Sequence, residues 1–210
     1  MTRTIDYYFY SASPFTYFGH QRIVELAKRH GATLVARPVN LMALWEISGA
    51  VPPGQRPPVR QRYRLLELQR LSHLLGLKIN LKPAHFPVDA TLADHSIIAV
   101  IESGADPWDY MGDVFATVWT HEGNIADRST IASLLTKHGF DADVILAHAD
   151  SDAIAAIRRA NSEAAIAADA VGVPAYVVDG EVFWGQDRID AVEEMLASGR
   201  APFATNARLL

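Results

Sequence analysis

Cysteine is absent from this 210-residue chain. Without a thiol of its own, the protein can form no disulfide, thiolate nucleophile, CxxC redox centre or cysteine-ligated zinc site. The chain also lacks a run of about 20 uninterrupted apolar residues, so no membrane-spanning helix is predicted. Basic residues are not clustered, and 19 lysines and arginines against 24 aspartates and glutamates give a formal net charge of −5. This charge argues against a nucleic-acid or anionic-membrane partner.

Several motifs of catalytic and metal sites are missing as well. The 8 histidines are scattered, and His121-Glu122 lacks the second histidine of an HExxH motif, so no metal site is expected. GxGxxG, GxxxxGK[ST] and GxSxG do not occur. Residues 1–6 do not form a charged and then apolar leader with a cleavage site, so we expect a soluble cytoplasmic protein.

The composition that remains is typical of a globular protein. Half of the residues are hydrophobic and one fifth are charged, as the fractions of 50% and 20% show. The length is about one and a half times that of a common domain of ~150 residues, which predicts one large domain or one domain with an insertion.

The N-terminal segment predicts a strand, a helix and a second strand. Residues 4–10 are aromatic and β-branched, which is typical of a strand. Ser13-Pro14 is a helix-start signal, and the helical pattern after it ends at Gly31. Residues 33–39 have strand character again, so the chain opens with a βαβ unit.

The middle of the chain is predicted to be almost entirely helical. Residues 50–58 contain four prolines and are predicted to be a loop or mobile arm without regular structure. Helical patterns follow over 59–76, 91–103, 107–121, 127–138, 141–149 and 151–170. Asp127, Asp141 and Ser151 stand where helix caps or first-turn acids are expected.

The C-terminal segment returns to strands. Gly172-Val173-Pro174 ends the helical pattern, and 175–178 and 181–184 predict two strands around the hairpin signal Asp179-Gly180. A last helix is predicted over about 187–198. The fold class is therefore α/β, with a thioredoxin-like βαβ…ββα core and a large all-helical insertion of the DsbA type. We predict a discontinuous thioredoxin-like domain over 1–40 and 171–210 and a helical insertion domain over 41–170.

Two separated motifs resemble one known family. Residues 8–17, YFYSASPFTY, resemble the F-D-F-x-S-P-[FY]-[ST]-Y opening of 2-hydroxychromene-2-carboxylate isomerases and kappa-class glutathione transferases. Residues 172–188, GVPAYVVDGEVFWGQDR, are similar to the G-V-P-x-F-x-[VI]-x-x-x-x-[FW]-[FW]-G-x-D-R motif of the same family. The two motifs stand in the family's order and frame a helical region of similar length, so the resemblance covers nearly the whole chain.

The resemblance implies an enzyme that uses glutathione. The isomerases interconvert 2-hydroxychromene-2-carboxylate and trans-o-hydroxybenzylidenepyruvate in the catabolism of aromatic compounds, and this activity is the leading hypothesis. A kappa-like transferase that conjugates glutathione to electrophiles is the alternative, and a non-catalytic binding protein is a third. The resemblance also implies a homodimer, and an aromatic small molecule is the expected substrate.

Ser13 is the candidate catalytic residue. A hydroxyl at the start of a helix lies among free N–H groups and a partial positive charge, a setting that favours an anion. A glutathione sulfur beside it would be largely thiolate, because helix N-termini lower thiol pKa values. From Ser13-Pro14 alone, a plain helix cap is the favoured explanation of the serine, and the C-terminal motif reverses that preference.

Five further residues are candidates for holding glutathione: Val173, Trp184, Gly185, Gln186 and Asp187. Resemblance implies that the N–H and C=O of Val173 bind the cysteinyl part of glutathione as an added strand would. Trp184, Gly185, Gln186 and Asp187 form the turn before the last helix, where Asp187 can accept from an α-ammonium group. Asp187 is also a candidate cap of that helix.

Substrate contacts are expected from Gln55, Arg56 and Phe86. The isomerases' Asn-Arg pair aligns with Gln55-Arg56, and a guanidinium matches a carboxylate in a two-bond fork. Phe86 falls where relatives carry an aromatic residue near the substrate ring. The family's usual lysine after the second strand is missing, and Glu46 stands nearby, so the resemblance leaves the second substrate open.

Overall fold

A four-stranded mixed sheet forms the centre of the computed structural model, which describes residues 2–205. The strands are β1 (Thr4–Phe9), β2 (Thr33–Pro38), β3 (Ala175–Val178) and β4 (Glu181–Trp184). They lie in the order β2-β1-β3-β4, so the N-terminal and C-terminal segments share one sheet. The turn between β3 and β4 has positive φ at Asp179 and Gly180, as the predicted hairpin requires.

The register of the strands brings four strand ends to one edge of the sheet. β1 runs parallel to β2, and Phe9 lies opposite Pro38. β3 is antiparallel to β1 and to β4, with Ala175 opposite Tyr8 and Trp184. β1, β2 and β4 therefore end, and β3 begins, at the same edge, which we call the loop edge.

Helices account for most of the remaining chain. They are α1 (Pro14–His30), α2 (Leu41–Ser48), α3 (Pro58–Leu75), α4 (Thr91–Glu102), α5 (Trp108–Trp119), α6 (Arg128–Lys137), α7 (Ala142–Ala149), α8 (Asp152–Ala167) and α9 (Ile189–Ser198). None of the helices described within 2–205 has both the length and the apolar character needed to cross a membrane.

The helix caps follow local sequence signals. Asp127, Asp141 and Ser151 each accept a hydrogen bond from a backbone N–H of the first turn of α6, α7 and α8, which confirms their prediction as caps. Residues 50–58 differ from the prediction, because Pro53–Gln55 form a short 3-10 turn. The fixed φ of proline suits the first position of such a turn, so the proline-rich segment is not wholly irregular.

The two faces of the sheet have separate hydrophobic clusters. Ile5, Tyr7 and Phe9 of β1 belong to the larger cluster, which includes residues of α1, α9 and the helices α4 to α7. Tyr8 points to the other face and packs with residues of α2 and α8. The larger cluster joins the sheet to helices from 41–170, and the division into domains at residues 40 and 170 stays a prediction.

Candidate functional site

The loop edge places three of the predicted site residues on neighbouring segments. Ser13 lies on the loop that leaves β1 and starts α1, and Val173 lies just before β3. Trp184 is the last residue of β4 and pairs with Ala175 of β3. Parts of the chain that are about 170 residues apart in sequence therefore meet, as a βαβ…ββα sheet requires.

Ser13 caps α1 and keeps a free hydroxyl proton. The residue is 6% exposed, and its Oγ accepts from the Thr16 N–H at 3.2 Å. Its carbonyl accepts from Tyr17 N at 3.1 Å, while Pro14 has no N–H to offer. Among the described residues, the Ser13 hydroxyl proton and the Phe15 N–H have no acceptor. Two donors and the positive end of α1 are thus left for an anion.

A buried ion pair supports the loop before Ser13. Asp94 of α4 accepts from the backbone N–H of Ser11 at 3.2 Å and from its hydroxyl at 2.6 Å. Arg158 of α8 donates to the other carboxylate oxygen with Nη2 at 2.8 Å and Nε at 3.0 Å. Burial raises the pKa of the Asp94 carboxyl to about 6, and Arg158 and Ser11 oppose the rise. The carboxylate is therefore ionised at neutral pH and fixes the turn that carries Ser13.

Sequence reasoning did not predict the roles of Asp94 and Arg158. The two residues are 64 positions apart, and nothing near either of them in the sequence indicates a partner. The only available signal was an aspartate in the first turn of a helix, which also fits an ordinary interaction with the helix dipole.

Val173 has a free backbone at the loop edge. Its peptide bond to Pro174 is cis. The carbonyl of Pro174 accepts from Gly185 N at 2.8 Å. Neither the N–H nor the C=O of Val173 is hydrogen-bonded to another residue in the part of the chain that the structure describes. An extended ligand could therefore pair with this residue as a strand pairs with a sheet edge.

Trp184, Gly185 and Asp187 form a tight turn beside Val173. The Trp184 indole packs on Gly172 so closely that a Cβ on Gly172 would lie 2.9 Å from Nε1. Gly185 has φ of 110°, a conformation that other residues rarely adopt. The Asp187 carboxylate is exposed and pairs with Arg188 at 3.0 Å. These groups line the open end of the turn, where a ligand can reach them.

Gln186 is placed differently from its neighbours. It is buried, and its side-chain Oε1 and backbone carbonyl both accept from Arg22 Nη1, at 3.0 and 3.1 Å. Arg22 of α1 also pairs with Asp190 at 2.9 Å. The Gln186 side chain therefore joins the last turn to α1, and only its backbone is free to contact a ligand.

The predicted substrate-binding residues are Gln55, Arg56 and Phe86. Arg56 lies beside α2. Its Nε donates to the Val51 carbonyl at 2.9 Å, and its guanidinium lies 5.6 Å from the centre of the Trp45 ring. Gln55 ends the short 3-10 turn and is exposed. The two residues differ in their settings, because Arg56 is packed against an aromatic ring and Gln55 is not.

Phe86 lies in an aromatic stack beneath α3. Its ring centre is 4.9 Å from that of Trp119, and the Arg64 guanidinium lies 5.5 Å above the Phe86 ring. Arg64 and Arg56 both line a cavity of about 360 Å³ that reaches the first turn of α1. The cavity is lined by Phe15, Arg56, Val59, Arg60, Tyr63, Arg64 and Glu67. Phe15 is two residues after Ser13, so this cavity adjoins the free donors of α1.

Two arginines of α3, Arg60 and Arg64, line this cavity together with Arg56. Arg60 and Arg64 were not predicted as site residues, because each reads as an ordinary polar position of an amphipathic helix. Their spacing of four residues places them on one face of α3. Glu46 is exposed on α2 and is not among the residues that line the cavity.

A cluster of polar side chains, His20 of α1, Tyr7 of β1 and Tyr176 of β3, is buried between α1 and the sheet. The rings of Tyr176 and His20 lie 5.4 and 6.2 Å from that of Tyr7. His20 Nε2 lies 2.8 Å from the Trp108 carbonyl and so carries the proton, while Nδ1 has no partner among the described residues. Burial lowers the pKa of His20 to about 4, so the imidazole is neutral at neutral pH.

Known proteins share this architecture. Residues 4–197 match the family described as the DSBA-like thioredoxin domain, which confirms the predicted α/β fold. A curated 2-hydroxychromene-2-carboxylate isomerase from Pseudomonas putida is 30% identical over 196 residues, which are 91% of this chain and 93% of the relative.

Two solved structures have the same fold. One is a 2-hydroxychromene-2-carboxylate isomerase with a TM-score of 0.76 and 24% identity, covering 93% of this chain and 95% of that one. The other is the cytosolic disulfide reductase DsbM from Pseudomonas aeruginosa with GSH, with a TM-score of 0.69 and 13% identity, covering 93% of this chain and 98% of that one.

Proposed function

Since this chain belongs to the DSBA-like thioredoxin domain family and is an enzyme of its 2-hydroxychromene-2-carboxylate isomerase branch, we propose that it is a glutathione-dependent cis–trans isomerase. Its substrates would be 2-hydroxychromene-2-carboxylate and trans-o-hydroxybenzylidenepyruvate, or a related aromatic catabolite. The observation that carries this proposal is the pair of free donors at the start of α1, next to a cation-lined aromatic cavity.

The free donors suit the sulfur of glutathione. A free thiol has a pKa near ~8.5, and a helix N-terminus can lower it to neutral pH or below. The Ser13 hydroxyl would donate to the sulfur, and the Phe15 N–H and the dipole of α1 would favour its negative charge. When bound, glutathione supplies a thiolate nucleophile that adds to an activated C=C, permits rotation about that bond and then leaves. Ser13 has no base beside it among the described hydrogen bonds and is not required to act as a nucleophile.

The loop edge has groups that fit the rest of glutathione. The free N–H and C=O of Val173 match the backbone of the cysteinyl residue, as in strand addition. Asp187 is exposed and can exchange its pairing with Arg188 for the α-ammonium group of the γ-glutamyl end. Trp184 and the backbone of Gly185 and Gln186 would border the ligand.

The cavity next to Phe15 fits an aromatic keto acid. Arg56 would bind the substrate carboxylate in a two-bond fork. Phe86, beneath Arg64, would support the aromatic end. Gln55 is exposed next to Arg56 and would contact the substrate only at the cavity mouth. The substrate would thus lie between the sulfur site and a set of cations.

One experiment tests the reaction type. The enzyme is incubated with glutathione and an unsaturated aromatic keto acid, and substrate and free thiol are followed together. An isomerase converts many equivalents of substrate while free thiol stays constant. Loss of one thiol for each substrate consumed would identify a kappa-like transferase. No turnover together with no heat on titration with glutathione would favour a non-catalytic binding protein.

A cytoplasmic homodimer is also proposed. Reduced glutathione is abundant in the cytosol, where the proposed chemistry needs it. Exposed apolar side chains on α2 and α3, among them Ile47 and Leu74, support self-association. Light scattering should give twice the chain mass, and a mass of 23.0 kDa would contradict the dimer.

A further inference from the structure

The cavity beside α1 contains more positive charge than a single carboxylate requires. Its lining includes three guanidinium groups, those of Arg56, Arg60 and Arg64, and one carboxylate, that of Glu67. Glu67 already accepts from Arg70, with Oε2 3.2 Å from Nη1. The only acidic group of the lining is therefore shared with a cation outside it.

Among residues 2–205, the three cavity arginines have no anionic partner of their own. Throughout residues 2–205, none of them forms an ion pair, although arginines elsewhere on the chain do so. Arg56 donates to a backbone carbonyl, and Arg64 lies over the rings of Phe86 and Trp119 at 5.5 and 5.9 Å. Aromatic faces orient a guanidinium but leave its N–H donors unused.

Repulsion within the cavity is uncompensated. Burial lowers the pKa of the Arg64 guanidinium, and the charge of Arg56 lowers it further. The pKa of Arg56 is lowered in the same way by burial and by Arg60. An anion in the cavity would remove a cost that the protein bears without it.

The remaining walls are aromatic and the volume is modest. Phe15 and Tyr63 line the cavity, and about 360 Å³ suits a ligand built on one substituted ring. We propose that Arg60 and Arg64, together with Arg56, bind an aromatic substrate that carries two anionic groups, such as a ring carboxylate in addition to the keto acid carboxylate. This substrate class rests on the proposed function, because the reactive C=C has to reach the sulfur near Ser13.

A carboxylate of glutathione is the other source of the same chemistry. The two sources are distinguished by measuring the binding of three ligands to the same variants. The ligands are benzylidenepyruvate, benzylidenepyruvate with a second carboxylate on its ring, and glutathione, each titrated separately into the full chain by calorimetry. The variants are Arg60→Gln and Arg64→Gln, with Arg62→Gln as control, since Arg62 is exposed on the same helix and does not line the cavity.

The wild-type protein should bind the dianion about tenfold more tightly than the monoanion, since a charge-assisted hydrogen bond is worth at least that factor. Arg60→Gln and Arg64→Gln should each remove most of this preference, and Arg62→Gln should keep it. Arg64→Lys, which retains the charge, should keep part of the preference and so separates charge loss from misfolding. The preference should also decrease as salt is added.

Equal affinity of the wild-type protein for the two aromatic ligands would overturn the inference. It would also be overturned if Arg60→Gln and Arg64→Gln weakened glutathione binding while the dianion preference stayed, because the cations would then serve the peptide. If the wild-type protein failed to bind glutathione but kept the dianion preference, this result would contradict the proposed function. It would still support the inferred anion site.

Discussion

Arg158 and the three cavity arginines differ in whether their charge is matched. Arg158 has a side chain that is 13% exposed, and it meets the fully buried carboxylate of Asp94 at 2.8 Å. Arg56, Arg60 and Arg64 border a cavity and form no ion pair within residues 2–205. The charge of Arg158 is matched within the chain, whereas the cavity arginines have no such match among residues 2–205 and are proposed to bind an anion from outside.

The difference separates positioning from binding. Asp94 and Arg158 hold the Ser11 turn, and with it Ser13, before any ligand arrives. A site prepared in this way loses little entropy when it binds. The cavity arginines keep their donors for the ligand, at the cost of repulsion between them. If the cavity binds a dianionic substrate as proposed, their unmatched charge serves specificity rather than folding.

Breaking the matched pair should have the largest effect on stability. Arg158→Met leaves a buried carboxylate without its cation, which should lower the free energy of unfolding by about 3–5 kcal/mol. Arg128→Met is the control, because Arg128 and Asp150 form a pair in which the side chains are 53% and 56% exposed. The control should lose less than about 1 kcal/mol in urea unfolding. Equal losses would mean that burial does not increase the contribution of the Asp94–Arg158 pair to the free energy of unfolding.

Acid should destabilise the folded chain through the buried imidazole of His20. The pKa of His20 is about 4 in the folded chain against 6.5 for an ordinary histidine, so the unfolded chain takes up the proton first. Stability should therefore fall as the pH drops from 6.5 towards 4, by roughly 3 kcal/mol in full, with no contribution above that range.

His20→Phe should remove this part of the pH dependence, and His73→Phe, at an exposed position of α3, should leave it. Denaturant unfolding at several pH values measures the difference. Parallel stability profiles of His20→Phe and the wild-type protein would show that His20 takes up its proton as easily in the folded chain as in the unfolded one.

Local features were predictable from the sequence, and contacts between distant segments were not. Ser13-Pro14, the caps of α6 to α8 and the Asp179-Gly180 turn depend on a few adjacent residues, and each is found in the structure as predicted. The Asp94–Arg158 pair and the cavity arginines depend on how helices pack. A polar residue on a helix face is as typical of a solvent-exposed position as of a functional site. The sequence pattern alone therefore could not single out these residues.

Removal of Arg56 should weaken substrate binding by an intermediate amount. Arg56→Ala should raise KM for an anionic keto acid about ten- to a hundredfold, which corresponds to about 1.5–3 kcal/mol, because the carboxylate loses a charge-assisted hydrogen bond. kcat should change less than KM. Arg62→Ala is the control and should leave KM unchanged. An unaltered KM in Arg56→Ala would place the substrate carboxylate elsewhere.

Ser13→Ala should have the smallest effect on stability. Loss of a helix cap costs about 1 kcal/mol. Ser151→Ala removes the corresponding cap of α8, where Oγ accepts from Ile154 N at 3.4 Å, and should cost a similar amount. The two variants should therefore unfold at similar denaturant concentrations. A much larger loss in Ser13→Ala would mean that Ser13 has a structural role beyond capping.

The most direct test compares these two cap variants for glutathione thiolate. Reduced glutathione is titrated at neutral pH into the wild-type protein, Ser13→Ala and Ser151→Ala, and the ultraviolet absorbance of the bound thiolate is recorded at saturation. We expect full absorbance for the wild-type protein and Ser151→Ala and a clear reduction for Ser13→Ala, because only Ser13 donates its hydroxyl proton to the sulfur. Equal absorbance in all three proteins would contradict the assignment of Ser13 to the sulfur site.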